Sequence, residues 1–137
     1  MLRDILLVNW NDRTNPHAGG AEIHLHETFG RLARRGHRVT LLCSGYRGAP
    51  AEEELDGLRV LRVGGRYTFN FVAPRYVRRL ARQGPCDVVV EALNKIPLCT
   101  PLYAPVPVLG IGHHLFGATI FREVPPPLSL YVYASEL

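Results

Sequence analysis

Asn15-Pro16-His17-Ala18-Gly19-Gly20-Ala21-Glu22 lies between an apolar run, Ile5 to Asn9, and a stretch where Ala21, Leu25, Phe29 and Leu32 recur at helical spacing. A strand that enters an amphipathic helix through a glycine pair can present bare backbone N–H groups to an anion. The first turn of a helix carries N–H groups without intrahelical partners, together with the positive end of the macrodipole. Two glycines remove the side chains that would hold a ligand away. Glycine pairs also serve ordinary turns, so the stretch alone identifies a phosphate-bearing ligand only as one of two readings.

Outward from this loop the chain alternates β-rich apolar runs with helical patterns. The runs are Ile5 to Asn9, Arg38 to Cys43, Leu58 to Val63, Asp87 to Ala92 and Val106 to Gly112. This alternation predicts an α/β fold with a mostly parallel, doubly wound, Rossmann-like sheet. Several runs are apolar throughout, which places helices on both faces of the sheet. The first helix is expected from Ala21 to Arg34 with Gly36 as its stop. The second is expected over Ala73 to Gln83, with Pro74 in its first turn and Gly84-Pro85 as terminator. The segment Gly45 to Asp56, with Glu52-Glu53-Glu54, is too polar and short to define a crossover helix, so the direction of the Leu58 strand stays open. After Pro125-Pro126-Pro127, the run Leu128 to Leu137 reads as a helix without a capping signal at its end.

The 137 residues, with a formal net charge of +4, suit one soluble domain, 1–137. No apolar run is long enough to span a bilayer. Met1-Leu2-Arg3-Asp4 leads directly into the first strand without a cleavage-site pattern, so a cytoplasmic location is expected. Cys43, Cys86 and Cys99 form neither a disulfide framework nor a zinc spacing.

In open parallel sheets ligands gather at the carboxyl ends of the strands. Four places qualify: the glycine loop, Cys43-Ser44-Gly45, Glu91 with Asn94 and Lys95, and Gly110-Ile111-Gly112-His113-His114. All four are expected to line one crevice. A dinucleotide site is excluded because nine residues, Trp10 to Ala18, separate Asn9 from Gly19 and no acid ends the second strand. A G-x-x-x-x-G-K-[ST] loop is absent as well.

At the last of these places, neutral imidazole can bond a sugar hydroxyl or a phosphate. The alternative is that one histidine caps the strand and the other is solvated, and adjacent side chains diverge in any case. Glu91 either orients a ligand hydroxyl, serves as a base, or pairs with Lys95. Joint metal ligation by His24 and His26 is disfavoured, because residues two apart on a helix point away from each other. No metal site is expected. Arg31, Arg34 and Arg35 on one helix and Arg75, Arg78, Arg79 and Arg82 on the other either form solvated faces or meet anionic lipid or a polyanion. Nucleic-acid binding lacks the stacking aromatics and recognition motifs it needs.

The glycine stretch, followed by Leu32-Ala33-Arg34-Arg35-Gly36-His37-Arg38-Val39-Thr40, resembles the amino-terminal domain of GT-B glycosyltransferases of family 4. Asp87-Val88-Val89-Val90-Glu91, Asn94-Lys95-Ile96-Pro97 and Val108 to Gly117 extend the resemblance over essentially the whole chain. It implies transfer of a sugar from a nucleotide-sugar to a glycan, lipid or small-molecule acceptor, with retention and without metal or cofactor. It matches Gly19 and Gly20 to the loop at the donor diphosphate and His113 to the catalytic histidine at the transferred sugar. Glu91, Asn94 and His114 fall on the acceptor side. No segment resembles the carboxy-terminal, donor-binding domain of the family, so the chain is expected to be inactive alone and to need that half in cis or in trans. The alternative expectation is a non-catalytic Rossmann-like domain that binds a partner protein, a polyanion or, peripherally at the inner membrane face, anionic lipid through its arginines.

Overall fold

Two apolar stripes, on opposite sides of one sheet, organise the chain. The computed structural model describes residues 1–93, 96–113, 118, 122 and 125–136. In chain order the elements are β1 (Asp4–Val8), α1 (Gly20–Arg34), β2 (Arg38–Cys43), β3 (Glu52–Leu55), β4 (Leu58–Arg62), α2 (Phe69–Gln83), β5 (Val88–Leu93), a 3-10 turn at Thr100–Leu102, β6 (Val108–Gly112) and α3 (Leu128–Glu136). The strands form one six-stranded sheet in the order β3-β4-β2-β1-β5-β6. Every pairing is parallel except β3 with β4.

Side chains alternate across the strands, so Leu7, Leu41, Val60 and Val90 face α1 and pack with its Leu25 and Phe29. Leu6, Val8, Leu42 and Val89 face α2 and pack with Phe69, Ala73 and Val77. Both faces of β1, β2 and β5 are thereby covered. The fifth apolar run differs, because β6 is an edge strand and its Leu109 is 55% exposed.

The sheet order reverses at β1, with β2 on one side and β5 on the other. This is where a doubly wound sheet opens a crevice at its carboxyl end, and β1 feeds the glycine loop there.

The segment of open direction resolves into a hairpin. Asp56 and Gly57 take φ of 55° and 82° between β3 and β4, the left-handed pair that a tight two-residue turn requires. β4 therefore lies parallel to β2 without a crossover helix, and the acidic run becomes an edge strand whose Glu52 meets Arg59 across the ladder at 2.6 Å.

α2 begins at Phe69, so Pro74 lies inside the helix and not in its first turn. Phe69 starts the same buried stripe as Ala73 and Val77, and that burial outweighs the one backbone bond that the proline ring forfeits.

Arg62 continues the buried stripe of Leu58 and Val60, on the α1 side of the sheet. Its side chain is 1% exposed, and its Nε donates to Asp12 at 2.9 Å. Nη2 meets Glu53 at 2.6 Å and Nη1 donates to the Pro50 carbonyl at 2.9 Å. Burial would raise the Asp12 carboxyl, but the bonds from Arg62 and Thr14 outweigh it and leave it below the usual carboxylate value. The stabilisation from this carboxylate is complete above that ordinary value, about 3.9, and is lost as pH falls through the lower folded value. Arg62→Met leaves Asp12 buried without its cation, and should cost about 3–5 kcal/mol in urea unfolding at neutral pH. The cost should shrink in acid as Asp12 takes up a proton.

Candidate functional site

The chain between β1 and α1 is held by its own polar groups. Asn9, buried at the end of β1, donates from Nδ2 to the Asn11 carbonyl at 2.7 Å and to Glu22 Oε1 at 3.1 Å. Asp12 Oδ1 accepts the Thr14 amide at 2.7 Å, and Asn15 Oδ1 accepts the His17 amide at 2.9 Å. Both are short Asx turns. The Thr14 and Tyr46 hydroxyls share a hydrogen bond of 2.7 Å.

A second clamp comes from the hairpin turn. The Arg13 amide donates to Nε2 of buried His26 at 3.2 Å, so that nitrogen is the acceptor and Nδ1 carries the proton. His26 Nδ1 donates to Asp56 at 2.9 Å, and the same carboxylate binds the Arg13 guanidinium. Burial opposes the charge on Asp56, but the bonds from Arg13 and His26 hold its carboxyl below the ordinary value. His26 thus serves the fold, while His24 is exposed. The two side chains have different surroundings, and no group of three or more His, Cys, Asp or Glu side chains that could hold a metal ion occurs among the described residues.

These clamps fix the start of α1. Gly19 is extended at φ −140° and ψ −156°, a backbone that any residue adopts, and its amide donates to Glu22 Oε2 at 2.7 Å. One N–H of the loop is therefore already used. A Cβ on Gly20 would meet no described residue within 4 Å. Among the described residues, neither backbone strain nor crowding accounts for glycine there.

Of the other three places at the strand ends, one is largely buried, with only Gly45 half-buried. Cys43 and Ser44 are buried, Ser44 donates to the Trp10 carbonyl at 2.6 Å, and Cys43 lies against Asp12, where burial pushes its thiol up. They brace the loop from inside, so the expected single crevice loses that wall.

Glu91, 3% exposed and inside β5, which runs on to Leu93, accepts the Cys99 amide at 3.2 Å and the Thr100 amide at 2.9 Å, and also the Leu98 amide and Thr100 hydroxyl. Its two oxygens fold residues 96–100 into the turn that ends in the 3-10 segment. Asn94, Lys95 and His114 lie outside the described residues.

His113 follows β6, and its amide extends the ladder to the Leu93 carbonyl at 3.2 Å. Its Nε2 lies 3.0 Å from His24 Nδ1, with the rings edge to face at 72°. Burial first, and His24 second, hold the imidazole below the ordinary histidine value, while Glu22 acts in the opposite sense. The sequence signal for His24 is its spacing: it stands four residues after Gly20, on the same helix stripe.

The site therefore consists of an open glycine at a helix start, a histidine pair beside it, and a carboxylate-pinned turn at the neighbouring strand end. The family model of Glycosyltransferase Family 4 matches residues 18–135, which contain all three. Among curated proteins none matches the chain. Glu91→Gln should destabilise the fold by about 1–3 kcal/mol, because an amide offers one acceptor oxygen where several N–H groups converge. Urea unfolding measures the cost, and hydrogen exchange at the Thr100 amide should rise with it.

Proposed function

The chain belongs to glycosyltransferase family 4, and from that premise we propose that it is the acceptor-side half of an enzyme that moves a sugar from a nucleotide-sugar to an acceptor. The observation that carries this reading is Gly20 at the start of α1, where a side chain would meet no described residue within 4 Å. A diphosphate placed over it meets the N–H groups of the helix start and the positive end of the dipole.

In the transfer, the bond between the anomeric carbon and the diphosphate oxygen breaks, and its electron pair goes to the diphosphate. The acceptor hydroxyl oxygen bonds to the anomeric carbon and its proton passes to the leaving diphosphate oxygen. Negative charge grows on the leaving group, where fixed N–H donors act without rearrangement. His113 meets the sugar, and Glu91, with Asn94 and His114, belongs to the acceptor side. Glu91 serves there through the turn it pins.

The donor base and ribose are held by a second Rossmann-like half, in cis or in trans, without which this half does not turn over. The sequence holds no paired aspartates of the D-x-D kind for a divalent ion, which supports metal-independent transfer. Retention follows the family. Gly20→Leu fills the open space without touching the fold, so stability should stay within about 0.5 kcal/mol. Transfer by the two-half enzyme should fall about a hundredfold, as when a preorganised donor is lost. Wild-type turnover would remove the loop from the donor site.

A contact with anionic membrane is favoured by a separate observation. From Gly57 to Cys86 the chain carries seven arginines and no acid. Arg75, Arg78 and Arg82 share the outer face of α2 with Phe71, which is 77% exposed, while Tyr67 just before the helix is 79% exposed. No helix among the described residues is long and apolar enough to cross a membrane, so the contact is peripheral. The chain should sediment with vesicles of phosphatidylcholine mixed with phosphatidylglycerol, less so as salt rises. Replacing Arg75, Arg78 and Arg82 together by alanine should remove about 3 kcal/mol of binding, at about 1 kcal/mol for each arginine.

A further inference from the structure

His24 takes part in the site without an assigned role. Gly20, His24 and Thr28 are spaced four apart and line one stripe of α1. His24 Nε2 faces Thr28 Oγ1 at 3.5 Å, and Nδ1 faces His113. Of the two ring nitrogens of His113, Nδ1 is closed off from water and has no hydrogen-bond partner among the described residues. Nε2 is held at 3.0 Å by His24.

A neutral imidazole has one donor and one acceptor nitrogen, so across this contact one nitrogen carries the proton and the other the lone pair. The tautomer of either ring then dictates that of the other. A diphosphate over Gly20 would leave its sugar one helical turn away, beside this pair.

We propose that His24 is a positioning residue for glycosyl transfer, which fixes the plane and tautomer of His113 through the contact between their facing nitrogens. The proposal rests on the reading of Gly20 and His113 as the donor-facing wall. Among the described residues, the ionisable groups that face His113 from α1 are Glu22 and His24, and β5 contributes only the Leu93 carbonyl to its amide. When His113 takes up a proton, below the ordinary histidine value, both of its nitrogens are donors and there is no tautomer left to set.

Nitrogen-15 spectra of the imidazoles in the chain itself, for wild type, His24→Ala and His24→Gln, report the pairing without turnover. A single His113 tautomer is expected in the wild type. His24→Ala should mix the two tautomers and move the His113 titration up, toward its ordinary value, and His24→Gln should restore one form. With the second half supplied, His24→Ala should lower kcat about a hundredfold with a smaller change in KM. His24→Gln should recover most of the rate.

An unchanged His113 tautomer in His24→Ala, or wild-type turnover in that variant while His113→Asn is impaired, overturns the positioning role. Wild-type turnover in His113→Asn overturns the underlying donor-wall reading instead, and the nitrogen spectra then decide the pairing by themselves.

Discussion

The placement of the whole site depends on the buried ion pair between Arg62 and Asp12. Arg62 sits at the end of β4, two strands away from β1, yet its guanidinium reaches the loop that β1 feeds and holds Asp12 at 2.9 Å. The same group binds Glu53 of the edge strand, the Pro50 carbonyl and the Thr14 hydroxyl. A loop of this length has little apolar surface of its own to bury, and its backbone polar groups need partners wherever water is excluded. An apolar pair of equal volume would pack at least as well as a buried ion pair. What the ions add is direction, because the planar fork of Arg62 fits its acceptors in one arrangement. The start of α1 is thereby fixed to the sheet by geometry and not by packing alone.

That constraint works with a second one at the hairpin turn. Asp56 takes up Arg13 on one side and His26 on the other, so the loop is fastened at both Asp12 and Arg13 to the β3–β4 unit. Helix α1 passes so close to this turn that a Cβ on Gly30 would stand 3.1 Å from the Asp56 carbonyl. Glycine at that position is a packing requirement. Gly20, ten residues earlier on the same helix, has no comparable neighbour among the described residues, and on the proposed reading that space is left for a ligand.

The parallel core was legible from the sequence because β1, β2 and β5 are covered on both faces, and such strands show as continuous apolar runs. β3 was not, since an edge strand has few buried positions and Glu52-Glu53-Glu54 carries no apolar period. Its one strong sign is Asp56-Gly57. The start of α2 was misplaced by Pro74, whose usual position in a first turn is a weaker rule than the burial of Phe69. Of the candidate site, the glycine loop and His113 were named from motifs at strand ends. The contacts of Glu91 and His24 were not legible. Glu91 pairs with amides seven to nine residues downstream, a closure that no spacing rule predicts. His24, in the first turns of α1, meets His113 at the carboxyl end of β6 although the helix packs mainly over β2 and β4, a closeness that the topology sets and no spacing shows.

Glu22 sets the electrostatic terms on which any anion would enter. Its buried carboxylate caps the Gly19 amide and bonds Asn9, which suits the first turn of a helix by itself. It also places an acidic group within a turn of Gly20, and as a carboxylate it would oppose a diphosphate there while the helix start attracts it. On the proposed reading, that opposition is offset from outside this domain, by cations on the facing half. Binding of the donor and closure of the two halves then become one event, because the anion is favourable only when both walls are present. A helix start capped by its own glutamate is in this sense a poor anion site when alone, and a suitable one for a ligand that must be held by two domains together.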